Sequence, residues 1–209
     1  MQQFVICGCP RTGTTGLVTL INSSKNVFCF NESAIFIVDK IKELLSIEEF
    51  YKYLNYRGYE IDEVSLLLHS DEFLDYFGNK YNLQTVGDKT PDYVLDENFD
   101  LIHFYNTNLK YIFTTRNIDD TVSSYMIHFN VSQEEAIKKY YDYSRATLRC
   151  MSILNKDDFI CLNYEESCLD NQKLILKIEN FLGVSLGLEN YDEYKKQSRI
   201  LLTNDENGV

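Results

Sequence analysis

The 209 residues carry a net charge of −12, which excludes a general nucleic-acid partner, because phosphate contacts need a basic face. Hydrophobic residues make up 44% and charged residues 25%, the proportions of a soluble domain able to bury a sizeable core. No run reaches the roughly 18 apolar residues of a membrane span, and an apolar strand begins almost at once with no room for a leader, so a cytoplasmic single domain over 1–209, without membrane contact, is expected.

A first strand is predicted over Gln3–Gly8. It runs into Gly8-Cys-Pro-Arg-Thr-Gly-Thr-Thr15, after which a helix extends to Ser23. Two glycines five apart between a strand and a helix make a phosphate cradle, in which backbone N–H groups and a helix N-terminus face an anion. The triphosphate version reads GxxxxGK[ST], with the lysine on the β/γ-phosphates. Here Thr14 stands in the lysine position, and Arg11 is the loop's strong cation.

A second strand over Val27–Phe30 is followed by Asn31, Glu32 and a predicted helix, Ser33–Leu45. From about Ile47 to Phe77 the alternation breaks. That stretch, rich in Tyr, Leu and acidic residues, is expected to be a helical insertion near the ligand crevice, with Tyr51, Tyr53, Tyr56, Arg57 and Tyr59 as acceptor contacts or helix packing. Thr85–Gly87 reads as a strand leading into Asp88-Lys89-Thr-Pro91, and Asp96–Tyr105 as a helix. Tyr111–Thr115 reads as a strand ending at Arg116 and Asn117. The helix Ile118–Phe129 then carries Ser124 eight residues beyond that arginine, so the two can converge on one phosphate. Ser132 and Glu135 form a capping box for a long helix, Gln133–Leu154. A last strand, Phe159–Asn163, leads to Tyr164 and Glu165. A helix over Asn171–Leu182 stops at Gly183.

Strands alternating with helices imply an α/β fold with a parallel sheet, whose ligands sit outside the carboxyl ends of the strands. Cys7, Cys29 and Cys161 lie in apolar runs expected to be buried, and the six cysteines read as reduced thiols.

Taken together, these segments resemble the sulfotransferases that use 3′-phosphoadenosine 5′-phosphosulfate (PAPS). Pro10-Arg-Thr-Gly-Thr-Thr15 is similar to that family's 5′-phosphosulfate loop, and Lys110-Tyr-Ile-Phe-Thr-Thr-Arg-Asn117 with Ser124 is similar to its 3′-phosphate segment. Asp88-Lys-Thr-Pro91, Phe159 through Glu166 and Ile178 through Gly183 resemble further family segments, so the likeness extends to about Val184. It is nearest to the tyrosylprotein, bacterial and carbohydrate-type branches, whose base is a glutamate twenty-one residues past the loop arginine, the spacing of Arg11 and Glu32.

The resemblance implies a three-layer fold like that of the P-loop NTPases, with about five parallel strands. It implies PAPS as co-substrate, released as adenosine 3′,5′-bisphosphate (PAP), a hydroxyl-bearing acceptor and no metal. Glu32, Arg11 and Lys89 would be catalytic. Arg11, Thr12, Gly13, Thr14, Thr15, Arg116, Ser124 and Tyr164 would bind the donor. His128, in Tyr125-Met-Ile-His-Phe129, is read as packing, and Lys195, Lys196 or Arg199 as a late donor contact. The chain departs from the family in having Ile118 where proline is usual and no tryptophan. Two other classes stay open: a P-loop kinase of a small metabolite or nucleoside, and a non-catalytic binder of 3′-phosphoadenosine nucleotides.

Overall fold

Five short apolar segments pair into one all-parallel sheet in a computed structural model that describes residues 1–37 and 70–187. The strands are β1 (Gln2–Gly8), β2 (Val27–Asn31), β3 (Thr85–Lys89), β4 (Lys110–Thr115) and β5 (Phe159–Asn163). Their order across the sheet is β2-β3-β1-β4-β5. The helices are α1 (Thr14–Ile21), α2 (Ser70–Lys80), α3 (Asp96–Tyr105), α4 (Ile118–Phe129), α5 (Gln133–Ile153), α6 (Tyr164–Leu169) and α7 (Asn171–Leu182), with 3-10 turns at Ile35–Ile37 and Pro91–Val94.

The central strand explains the layering. Val5 and Cys7 join a core with Phe73, Phe77, Tyr93, Phe99 and Phe113 on one face. Phe4 and Ile6 join Leu17, Ile21, Ile112, Ile175 and Ile178 on the other. Burial on both faces is why β1 reads as a continuous apolar run rather than an alternating one. The resulting three-layer α/β fold is the one the sequence predicts.

Because every strand runs the same way, the carboxyl ends share one edge. Asn31 lies opposite Lys89, Ile6 opposite Lys89, Gly8 opposite Thr114, and Thr115 opposite Asn163. From β1 the chain passes to β2 at one edge, returns to β3 between β2 and β1, and then crosses to β4 and β5 on the other side, so connections leave the centre of the sheet in both directions, the arrangement at which open α/β sheets bind ligands.

Two expectations change. The segment from Ser33 does not start an α-helix. Glu32 and Ala34 have φ of 57° and 55°, and a 3-10 turn follows at Ile35–Ile37, while residues 38–45 of the predicted helix lie outside the described residues. Side-chain hydrogen bonds to this backbone, described below, compete with helical ones. Cys161 is half-buried rather than buried, since β5 is an edge strand, and the six cysteines are free thiols. The tyrosines and Arg57 of the insertion, together with Lys195, Lys196 and Arg199, lie outside the described residues.

Candidate active site

The loop after β1 is held open by three local features. Arg11 has φ of 72° and Gly13 φ of 88°, a left-handed backbone that turns the chain sharply into α1. Gly13 is the N-cap of α1 and has no side chain with which to cap it. Thr12 fixes the loop from below. Its hydroxyl donates to the Cys9 carbonyl at 2.6 Å and therefore accepts from the Thr114 hydroxyl, also at 2.6 Å. Thr12, Thr14 and Thr114 are buried, whereas Thr15 is exposed.

β4 delivers the second arginine to the same place. Arg116 donates from Nη1 to the Arg11 carbonyl at 3.3 Å and lies 4.4 Å from the centroid of the Tyr164 ring. Its Nη2 is 3.9 Å from Asp120 Oδ2, and its Nε is buried with no hydrogen-bond partner among the described residues. Arg11 in turn donates from Nε to Ser124 Oγ at 3.0 Å. Arg11, Arg116, Ser124 and Tyr164 thus meet at the β1/β4 edge. Asn117 caps α4 by accepting from the Asp119 N–H at 2.8 Å, while its own N–H donates to Glu165 Oε1 at 2.8 Å. That bond draws the start of α6 against the start of α4 and holds the Glu165 carboxyl below its usual range.

Tyr164 also closes on the loop. A Cβ at Gly13 would lie 2.3 Å from Tyr164 Cδ2, so only glycine fits. Beside them is a cavity of about 470 Å³ between α1, α6 and α7, with Gly16, Leu20, Leu162, Tyr164 and Leu174 among its walls. Its size suits a nucleoside-sized ligand. The unpartnered Arg116 Nε and the glycine loop are groups that could receive an anion, with an apolar cavity alongside.

On the β2/β3 side, Lys89 is 0% exposed and its Nζ lies 2.5 Å from Glu32 Oε1. The Glu32 N–H donates to the Lys89 carbonyl at 2.6 Å. The Glu32 side chain is 59% exposed, so the pair presents a carboxylate to solvent with a buried cation behind it. A buried lysine is tolerated because it is paired. Far from being a surface lysine, Lys89 is among the largest fully buried side chains.

The predicted residues therefore form two groups along one sheet edge: the loop with Arg116, Ser124 and Tyr164, and the Glu32–Lys89 pair. His128 is exposed, edge-on to Phe129 at 4.6 Å, and belongs to neither. Thr114 and the cavity residues Ser167, Cys168 and Asn171 are not among the predicted site residues. Ser167 and Cys168 follow Tyr164 at helical spacing on α6, a signal the sequence did contain. Burial pushes the Cys9 and Cys150 thiols up to about 12, which keeps them protonated near neutral pH. Among the described residues, no group of three His, Cys, Asp or Glu side chains is arranged to hold a metal.

The structure resembles solved sulfotransferases. The sulfotransferase domain from the curacin biosynthetic pathway superposes with a TM-score of 0.70 at 15% identity, over 90% of this chain and 76% of that one. The sulfotransferase domain of the Synechococcus PCC 7002 olefin synthase does so with a TM-score of 0.70 at 18% identity, over 90% and 75%. A mouse sulfotransferase complexed with PAP has a TM-score of 0.52 at 13% identity, over 93% of this chain and 64% of that one. At such identities the likeness is one of fold. No curated protein sequence matches the chain. The sulfotransferase family model matches residues 3–187, and the chain belongs to the sulfotransferase family.

Proposed function

We propose that the protein transfers a sulfuryl group from PAPS to an acceptor hydroxyl, with Glu32 as general base. One observation carries this reading: Arg11, Arg116, Ser124 and Tyr164 converge beside the glycine cradle, while a solvent-facing carboxylate and its buried lysine flank the same sheet edge. PAPS brings the activated sulfuryl group and the leaving 5′-phosphate. The loop amides and Arg11 hold the phosphosulfate end. Arg116 and Ser124 hold the 3′-phosphate, and the apolar cavity beside Tyr164 takes the base.

Transfer is in line. The acceptor oxygen forms a bond to sulfur as the bond from sulfur to the 5′-phosphate oxygen breaks. Glu32 takes the acceptor's proton at its carboxylate. Arg11 and Lys89 stabilise the negative charge that grows on the transferring group and on the leaving oxygen. Lys89 also keeps Glu32 in place, through both its ammonium and its carbonyl. Carbohydrate, peptide-tyrosine and small-molecule acceptors all fit this chemistry.

Thermal shift with PAP, PAPS and ATP plus magnesium tests the assignment. Stabilisation by the first two and not by ATP is expected. Preference for ATP overturns the reading in favour of a kinase. Binding of PAP without any transfer from labelled PAPS marks a non-catalytic nucleotide binder.

A further inference from the structure

Behind the Glu32–Lys89 pair lies a buried carboxylate that the proposed chemistry leaves without a role. Asp88 is 0% exposed, and both its oxygens are fully engaged. Oδ1 accepts from the Ser33 N–H at 3.3 Å and from the Ser33 hydroxyl at 2.7 Å. Oδ2 accepts from the Thr90 hydroxyl at 2.9 Å and from the Tyr93 hydroxyl. Those two hydroxyls are themselves acceptors. Thr90 Oγ1 takes the Ala34 N–H at 3.3 Å, and the Tyr93 hydroxyl takes the Phe36 N–H at 3.2 Å.

Each hydroxyl thus accepts a hydrogen bond from a backbone N–H of the 33–36 turn and donates its own to Asp88. The network binds the residue after Glu32 to the residue after Lys89. It does so where the backbone needs holding, since Glu32 and Ala34 both sit at positive φ. Such conformations are strained and persist only where their surroundings over-determine them. Burial pushes the Asp88 carboxyl above its usual range, so keeping it here is itself unfavourable. Asparagine has the same shape, but its amide offers one oxygen and one donor nitrogen, and cannot accept from all four groups.

We infer that Asp88 is a positioning residue: through Ser33, Thr90 and Tyr93 it fixes the strained turn that holds Glu32 against Lys89. This rests on the functional reading above for what the pair does, but not for whether the turn is held. Asp88→Asn replaces one acceptor oxygen by a donor, so either the two Ser33 groups or the Thr90 and Tyr93 hydroxyls lose their acceptor. Ser33→Ala removes one hydroxyl, leaves the buried carboxylate in place, and serves if the first variant fails to fold.

Hydrogen exchange is measured on the full chain, together with PAP affinity and turnover of labelled PAPS. The backbone amides of Ser33, Ala34 and Phe36 exchange at least ~10-fold faster in Asp88→Asn, while amides in β1 and β4 keep their protection. Turnover falls on the order of 100-fold in Asp88→Asn and ~10-fold in Ser33→Ala, the scale of a reactive group misplaced by about 1 Å. PAP affinity stays within about twofold, because the donor groups lie on the β1/β4 side. Unchanged protection over 32–36 in both variants overturns the positioning role whatever the turnover. Loosened amides with wild-type kcat also overturn it. Wild-type protein that moves no sulfuryl group while the variants still loosen the turn overturns the functional reading instead.

Discussion

Gly13→Ala separates what the loop's backbone requires from what Tyr164 requires. Gly13 has φ of 88°, where an alanine costs about 1–2 kcal/mol. Its new Cβ would also lie 2.3 Å from Tyr164 Cδ2 and 2.8 Å from Cε2, both inside any real contact distance. The ring is not the tip of a flexible chain, so it must swing as a unit, at an overpacking cost of about 1–3 kcal/mol. Gly183 supplies the control. It ends α7 at φ of 67°, and nothing lies within 4 Å of a Cβ placed there. Gly183→Ala therefore carries the backbone strain alone.

At about 2–4 °C per kcal/mol for a chain of this size, Gly183→Ala lowers Tm by ~2–8 °C, and Gly13→Ala by a further ~2–12 °C. The ring that moves is the one stacked on Arg116 and lining the cavity. Gly13→Ala should therefore also weaken PAP about 10-fold, by disturbing a cation–π contact worth ~0.5–2 kcal/mol and the cavity wall. Gly183→Ala leaves PAP affinity unchanged. Differential scanning calorimetry and titration calorimetry on the two variants decide the matter. Equal losses of Tm with equal PAP affinities would refute the steric role given to Tyr164.

Arg116→Ala should weaken PAP by ~10–150-fold, the ratio for about 1.5–3 kcal/mol of charge-assisted bonding, measured by titration calorimetry. Adenosine 5′-phosphosulfate, which lacks the 3′-phosphate, should lose far less with the same variant. Thr114→Val removes the hydroxyl that donates to Thr12 while keeping the volume. It should cost ~1–2 kcal/mol by denaturant titration and speed exchange of the loop amides. Glu165 accepts from the Asn117 N–H and has its pKa lowered below the usual 4.5, so its stabilisation is fully present above that pH and is lost as pH falls through the folded value. The Tm gap between wild type and Glu165→Ala should therefore be ~2 °C near neutral pH and close toward pH 3, because an exposed tie of this kind contributes little. A gap that widens on acidification would contradict that sign.

The strands were legible because their burial is local information. Phe159–Asn163, an apolar run bounded by polar residues, has the observed bounds of β5, and Ile118–Phe129 and Asn171–Leu182 have those of α4 and α7. The predicted cap at Ser132 is present, with its hydroxyl accepting from the Glu135 N–H at 3.2 Å. The start of α6 at Tyr164 escaped the reading, although Asn163 followed by Glu166 carries a capping signature and Asn163 accepts the Glu166 N–H at 2.9 Å.

Other features were not local. Ser33–Leu45 looks helical in isolation, yet its first turn is bound to Asp88, Thr90 and Tyr93 more than fifty positions away. The Thr12–Thr114 bond and the burial of Lys89 likewise depend on which strands become neighbours. That order is set by topology rather than by either segment's composition. The contact that links Arg116 to Ser124 was not local either. In the structure Arg11 stands between them, accepting from Arg116 at its carbonyl and donating to Ser124 from its side chain.

The most direct test follows transfer of labelled sulfate from PAPS to a panel of carbohydrate, tyrosine-peptide and phenol acceptors, by wild-type protein and by Glu32→Gln, with PAP affinity measured alongside. Wild type should label an acceptor hydroxyl without added metal. Glu32→Gln should bind PAP within about twofold of wild type and retain no more than ~1% of the turnover, given the ~10²–10⁴-fold contribution of a positioned base. Near-normal turnover by Glu32→Gln on the same acceptor, or phosphate transfer from ATP in place of sulfuryl transfer, would contradict it.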